Sequence, residues 1–220
     1  MNIIILTQPL GNNYGGLLQA FALQRVLKKL GHSVLTEDRI KNFDKRPIWM
    51  KILSRIKSII DPYYKTEKKV RIVSKYTDQF ISKYIDRTEP VYSTTKEELQ
   101  KYHANAYVVG SDQVWRPSFS RGIFNYFLDF VNDDNTKRIS YSASFGTDIW
   151  EFNTEQEKKC KDLLLKFDAV SVREDSAVAL CQEHFNVKPE VVLDPTLLLG
   201  LLIIVKSLMK VAIRPIIQVR

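Results

Sequence analysis

Short β-branched apolar runs alternate with helical segments along most of this chain, and that alternation restricts the fold more than any other feature. The run from Asn2 to Thr7 is followed by a helix predicted over about 14–30, which stops at Gly31, a residue suited to the turn after a helix. "HSVLTE" reads as a second strand. After an interruption, "ANAYVVG", "TKRISYSASFG", "FDAVSVRE" and "PEVVLDPT" continue the series, with helices predicted over about 154–166 and 174–185. Strands of this kind, separated by helices, are buried on both faces, so the pattern predicts an α/β fold with a doubly wound, mostly parallel sheet. Right-handed crossovers then bring every strand's C-terminal end to one edge, outside which such sheets bind ligands.

The interruption spans about 44–86. "PIWMKILSRIKSII" places Ile48, Trp49, Ile52, Leu53, Ile56, Ile59 and Ile60 on one face of a helix over 47–60, which Asp61-Pro62 ends. A second helix over about 66–84 carries Val70, Val73, Tyr76, Thr77, Phe80, Ile81 and Tyr84. Together they read as a helical insertion. Between Lys41 and Lys75 stand 11 Lys or Arg against 3 acids, Asp44, Asp61 and Glu67, so the first helix is basic as well as amphipathic. Peripheral contact with a membrane surface is one reading of helix 47–60, and packing on the parent domain or on the second helix is the favoured one. The charge could also steer an anionic partner. No RNP, zinc-finger or helix-turn-helix pattern accompanies it, so a nucleic-acid partner is not expected.

At 220 residues the chain can bury a sizeable core without a metal or disulfide staple. Cys160 and Cys181 lie in helical segments without Cys-x-x-Cys spacing, which predicts buried, reduced thiols and a cytosolic setting. "MNIIILTQPL" lacks a basic lead-in, and the longest apolar run, 197–205, is half a membrane span. The expectation is a cytoplasmic protein, placed at the inner face of the membrane if the basic helix touches lipid.

The predicted strand ends concentrate the polar and glycine residues. After the first strand come Asn13, Tyr14, Gly15 and Gly16, which match neither a Walker A loop nor Gly-x-Gly-x-x-Gly. Unpaired N–H groups at the helix start favour a polar or anionic ligand there, against simple turn chemistry as the plainer reading. "GSDQVWRP" keeps Ser111, Asp112, Gln113, Trp115 and Arg116 in one loop. A carboxylate, an amide and an indole together suit a sugar, and Asp112 could serve as general base for a sugar hydroxyl. The plainer reading has Asp112 capping a turn and Trp115 filling a seam. Ser142, Ser144, Phe145 and Gly146 end another strand in small residues that admit a substrate, without a Gly-x-Ser-x-Gly elbow. Arg173, at a strand end before Glu174 and Asp175, could grip a phosphate or carboxylate, or pair with Glu174 or Asp194. His32, His103 and His184 share no motif with a nucleophile or ligand set and read as structural, and no metal site is expected.

In this order, "NNYGGLLQAFALQRVLKKLGHSV", "VVGSDQVWRP", "RISYSASFG", "VSVREDSA" and "VVLDPTLLL" resemble the polysaccharide pyruvyl transferase family over about residues 1–199. The resemblance implies a Rossmann-like N-terminal half of a two-domain, GT-B-like protein. It also implies transfer of a pyruvyl group from phosphoenolpyruvate to a glycan or lipid-linked sugar of a cell-surface polysaccharide, with phosphoenolpyruvate as donor substrate and no cofactor. Asp112 is then the catalytic candidate. Asn13, Tyr14, Gly15, Gly16, Ser111, Gln113, Trp115, Ser144, Phe145, Gly146 and Arg173 are the substrate-binding candidates. "LLIIVKSLMKVAIRPIIQVR" departs from the family's pattern, and 200–220 reads as an atypical tail of a truncated or frameshifted chain, which could lack activity without a second domain, against a genuine terminal strand or helix as the plainer reading. A GT-B glycosyltransferase using a nucleotide sugar, or a non-catalytic glycan- or partner-binding half, are the alternatives.

Overall fold

The computed structural model describes residues 1–39, 53, 56, 67–91, 96–120 and 122–200. The helix predicted over 47–60 therefore lies outside the described residues, save Leu53 and Ile56, and so does the tail after Gly200.

Among the described residues, seven parallel strands form one sheet in the order β3-β2-β1-β4-β5-β6-β7. They are β1 (Asn2–Leu6), β2 (Ser33–Arg39), β3 (Arg87–Val91), β4 (Ala106–Val109), β5 (Lys137–Ala143), β6 (Ala169–Val172) and β7 (Glu190–Val191). This is the doubly wound, Rossmann-like order, and it reverses between β1 and β4. Helix α1 (Tyr14–Lys29) joins β1 to β2, α2 (Glu67–Tyr84) precedes β3, and the short α3 (Lys96–Gln100) precedes β4. Beyond β5 come α4 (Thr154–Leu164), α5 (Asp175–Leu180) with a wide turn to Phe185, and the single-turn α6 (Pro195–Leu198).

β1 is central, and its residues alternate between the two cores. Ile3 and Ile5 pack with Ala106 and Val108 beneath Leu23, whereas Ile4 and Leu6 pack with Tyr107, Val109, Trp115 and Phe127 on the other face. Both sides are apolar because both are covered, which is why the run "IIIL" shows no polar alternation. On the α1 face, Phe21 meets Phe80 of α2 edge to face at 5.7 Å, and Leu199 joins the same cluster. Thr77, Phe80 and Ile81 are buried as the helical pattern predicts, but Tyr76 turns outward.

The described part of the predicted insertion thus leads back into the sheet. α2 lies in the connection from β2 to β3, and β3, "RTEPV", escapes sequence reading because its residues are those of an exposed edge. Pro90 is tolerated there because an edge strand has one row of N–H groups to spare. Cys160 and Cys181 are free and buried, and burial pushes both thiols up, that of Cys181 to about 12.

Candidate functional site

The switch between β1 and β4 brings the start of α1 against the loop after β4. Asn13 caps α1, its Oδ1 accepting from the Gly16 N–H at 3.3 Å. The carboxylate of Asp112 lies on the other side of Gly16, so close that a Cβ on that glycine would stand 3.0 Å from Asp112 Oδ2. The helix start is therefore already faced by a carboxylate of the chain itself. Asp112 Oδ1 accepts from the Gln113 N–H at 2.8 Å, which is the turn-capping role, while Oδ2 is turned toward α1. Asp112 adopts φ 83°, a left-handed conformation that is costly for a residue with a side chain. Its backbone is held there by two bonds to its carbonyl, from Val114 N at 2.8 Å and Ser144 N at 3.1 Å.

Just before it, Gly110 has φ 117°, and a side chain there would run into the Tyr141 carbonyl at 2.2 Å. The loops after β4 and β5 are thus pressed backbone to backbone. Asp112 and Ala143 form a parallel bridge between them, and the Ala143 carbonyl accepts from Arg173 N at 3.1 Å.

Ser144 is the centre of the polar arrangement. Its hydroxyl donates to Glu174 Oε1 at 2.6 Å and accepts from Arg173 Nη2 at 3.1 Å and Gly146 N at 2.9 Å. Arg173 also lies 3.4 Å from Glu174 Oε2 and 3.6 Å from Asp194 Oδ2. Neither carboxylate is hydrogen-bonded to it. Among the described residues its one side-chain hydrogen bond is to Ser144, so most of the guanidinium's five donors are unspent. Glu174 is the N-cap residue of α5 but makes no capping bond with its side chain; its carboxylate accepts from Ser144 and lies at ion-pair distance from Arg173 instead.

Asp194 extends the network to α1. Its Oδ1 caps α6 through Thr196 N at 3.0 Å and Thr196 Oγ1 at 2.6 Å, and its Oδ2 accepts from the Gln19 side-chain amide. A cavity of about 520 Å³ opens beside it, lined by Gly15, Leu18, Gln19, Asp194, Thr196 and Leu197 among others.

The structure sorts the predicted site residues by exposure. Asn13, Tyr14, Gly15 and Gly146 are exposed, and Gly16, Asp112, Gln113 and Arg173 are partly so. Four are corrected. Trp115 is fully buried, stacked on Phe127 at 5.2 Å with its Nε1–H donated to the Tyr126 carbonyl at 3.0 Å, so it offers no face to a sugar. Phe145 is a core residue against Trp115 and Phe152. Ser144 is buried with its hydroxyl committed to its neighbours, which makes it an organiser of Arg173 and Glu174. Ser111 is buried too, and its carbonyl takes the Thr7 hydroxyl at 2.9 Å. The space beside Gly146 is filled by the Gln113 side chain, whose Cδ would lie 2.3 Å from a Cβ there.

Sequence reading named Glu174 and Asp194 as partners of Arg173, but it missed Gln19 and the bond between Glu174 and Ser144. Gln19 stands on a buried helix face where an apolar residue is the rule, and that mismatch is the signal that could have marked it. His184 is structural as read: it stacks on Trp150 at 3.8 Å, and both rings reach Glu157. Among the described residues no helix is long and apolar enough to cross a membrane, and no group of three or more His, Cys, Asp or Glu is arranged to hold a metal.

A family model described as polysaccharide pyruvyl transferase matches residues 13–214, nearly the whole of the chain. A search of curated proteins finds no match. The chain belongs to the polysaccharide pyruvyl transferase family, a family of transferases whose name implies a polysaccharide acceptor.

Proposed function

We propose that this polysaccharide pyruvyl transferase takes its pyruvyl group from phosphoenolpyruvate and passes it to hydroxyls of a cell-surface glycan or a lipid-linked precursor of one. The observation that carries this reading is that Ser144 joins the Asp112 loop to Arg173. Ser144 donates its N–H to the Asp112 carbonyl and accepts from the Arg173 guanidinium with its hydroxyl, so one residue ties the loop that carries the carboxylate to the cation at the sheet's ligand-binding edge. Phosphoenolpyruvate carries a phosphate and a carboxylate, and the unspent donors of Arg173 match either. Asp112 accepts the proton of a sugar hydroxyl as its oxygen bonds to the enol carbon that carries the phosphate. The electron pair of the broken C=C π bond takes a proton from solvent at the methylene carbon to give a methyl. A second hydroxyl displaces phosphate and gives its own proton to solvent. The first-turn N–H groups of Tyr14 and Gly15 have no acceptor within α1 and add donors at the same edge. The setting is the cytoplasm, where phosphoenolpyruvate is made.

The test is phosphate release from phosphoenolpyruvate in the presence of polysaccharide or lipid-linked acceptors. Asp112→Asn is expected to lower kcat by about 100- to 10,000-fold, the usual scale of general-base catalysis. Binding of a nucleotide sugar, with no response to phosphoenolpyruvate, would replace this reading with a glycosyltransferase.

A further inference from the structure

Arg173 is held between two carboxylates without being consumed by either, and that arrangement has a consequence for ligand affinity. A guanidinium given over to structure is hydrogen-bonded fork to fork with its carboxylate. Here Glu174 and Asp194 stand at ion-pair distance, 3.4 and 3.6 Å, while the one side-chain hydrogen bond, among the described residues, goes to Ser144. An anion arriving at the free donors enters the field of both carboxylates.

The two acids are not equivalent. Glu174 is bonded to Ser144 and belongs to the anchor that orients the guanidinium. Asp194 belongs to another loop and is anchored elsewhere, by Thr196 and by the Gln19 amide, so its position is independent of Arg173. Its carboxylate also lines the cavity beside Gly15, at the start of α1. We propose that Asp194 is an affinity-setting counter-charge: it leaves the Arg173 fork ordered but partly neutralised, so that an anionic ligand binds and departs rather than remaining trapped. It is a positioning residue that acts through Arg173, and its assignment to the donor site rests on the transferase reading above.

Asp194→Asn separates charge from shape. Asparagine caps a helix as well as aspartate does, so α6 keeps its start. Its Nδ2 can donate to Gln19 Oε1 once that amide turns over, so the tie to α1 is kept with its direction reversed. Ser144 and Glu174 still anchor the guanidinium, so little order is lost, and one negative charge disappears from beside the ligand. Two like charges several ångströms apart at a partly exposed site repel by roughly one tenfold step in affinity. Isothermal titration of phosphoenolpyruvate, and of inorganic phosphate as a second probe, is therefore expected to show about tenfold tighter binding to Asp194→Asn at unchanged Tm. In turnover the KM for donor should fall, with kcat lowered as phosphate release slows. The gain should vanish in the Asp194→Asn, Arg173→Gln double variant.

Equal or weaker anion binding by Asp194→Asn at unchanged Tm, or no binding by either protein, overturns the counter-charge. A gain that survives Arg173→Gln overturns its action through Arg173. Tighter phosphate binding in a protein that transfers no pyruvyl group would uphold the counter-charge and sink the transferase reading.

Discussion

Asp112 Oδ2 lies against Gly16, at the place where a side chain on that glycine would come within 3.0 Å of it. Gly16 is in the first turn of α1 with ordinary helical geometry, so alanine there fits the backbone, and a helix gain of about 0.5–1 kcal/mol offsets the crowding of the Asn13 cap, whose Nδ2 lies 3.3 Å from the new methyl. The added methyl must push the carboxylate aside. Gly16→Ala is expected to hold or slightly raise Tm while lowering kcat at least tenfold. A variant with full activity would show that the carboxylate's contact with α1 is immaterial.

Ser144→Ala removes the hydroxyl shared by Glu174, Arg173 and Gly146. Leaving such groups short of partners costs about 1–3 kcal/mol of stability. The KM for phosphoenolpyruvate should rise with it, because Arg173 loses its one side-chain hydrogen bond among the described residues, whereas the KM for the acceptor should not move. Steady-state kinetics with each substrate varied in turn gives both numbers.

Trp115 separates a sugar platform from a core residue. With its ring stacked on Phe127 and its Nε1–H spent on Tyr126, Trp115→Ala is expected to cost about 3–5 kcal/mol. Trp115→Phe keeps a ring against Phe127, leaves a smaller void than alanine and loses the hydrogen bond, so it should lower Tm less than Trp115→Ala while leaving the acceptor KM unchanged. Urea unfolding and acceptor titration together check this.

Burial pushes the Tyr126 phenol up to about 12, and its hydroxyl donates to the Thr7 carbonyl at 3.2 Å. An unfolded tyrosine ionises near 10. The folded state therefore holds the proton more tightly, and the stability this supplies is whole below about pH 10 and is lost as pH rises toward about 12. Tyr126→Phe should flatten the fall in urea midpoint over that window.

At the acid end, the hydrogen bond from Lys137 and then that from the Arg138 N–H hold the Asp168 carboxyl below its usual range. Its contribution is present above the unfolded value near 3.9 and is lost as pH falls through the lower folded value. Asp168→Asn should make the midpoint of denaturant unfolding less dependent on pH below about 4. An unaltered pH profile would show that the Lys137 pair contributes nothing.

The fold was legible where burial is two-sided. β1, β4 and their covering helices leave an unmistakable apolar record, and the strand-end loops could be placed on one edge from handedness alone. β3 was not legible, since an edge strand such as "RTEPV" needs no apolar alternation. The site was half legible. Asp112, Gly16 and Arg173 stand at the edge where the strand ends put them, yet Trp115 and Phe145 follow the same strands and are core. Nothing local distinguishes an aromatic that will meet ligand from one that will be covered by Ile123–Phe127 folding back over it.

The sequence by itself determines the parallel sheet, the common edge of the loops and the residue types available there, because periodicity and chain handedness are local properties. Tertiary structure alone decided that Ser144 is an organiser, that Glu174 leaves its helix to join it, and that Asp194 reaches Gln19 and Arg173 across the sheet. Those roles depend on distances between loops far apart in the chain, and a hydrogen bond or a counter-charge exists only once packing has brought the partners within a few ångströms.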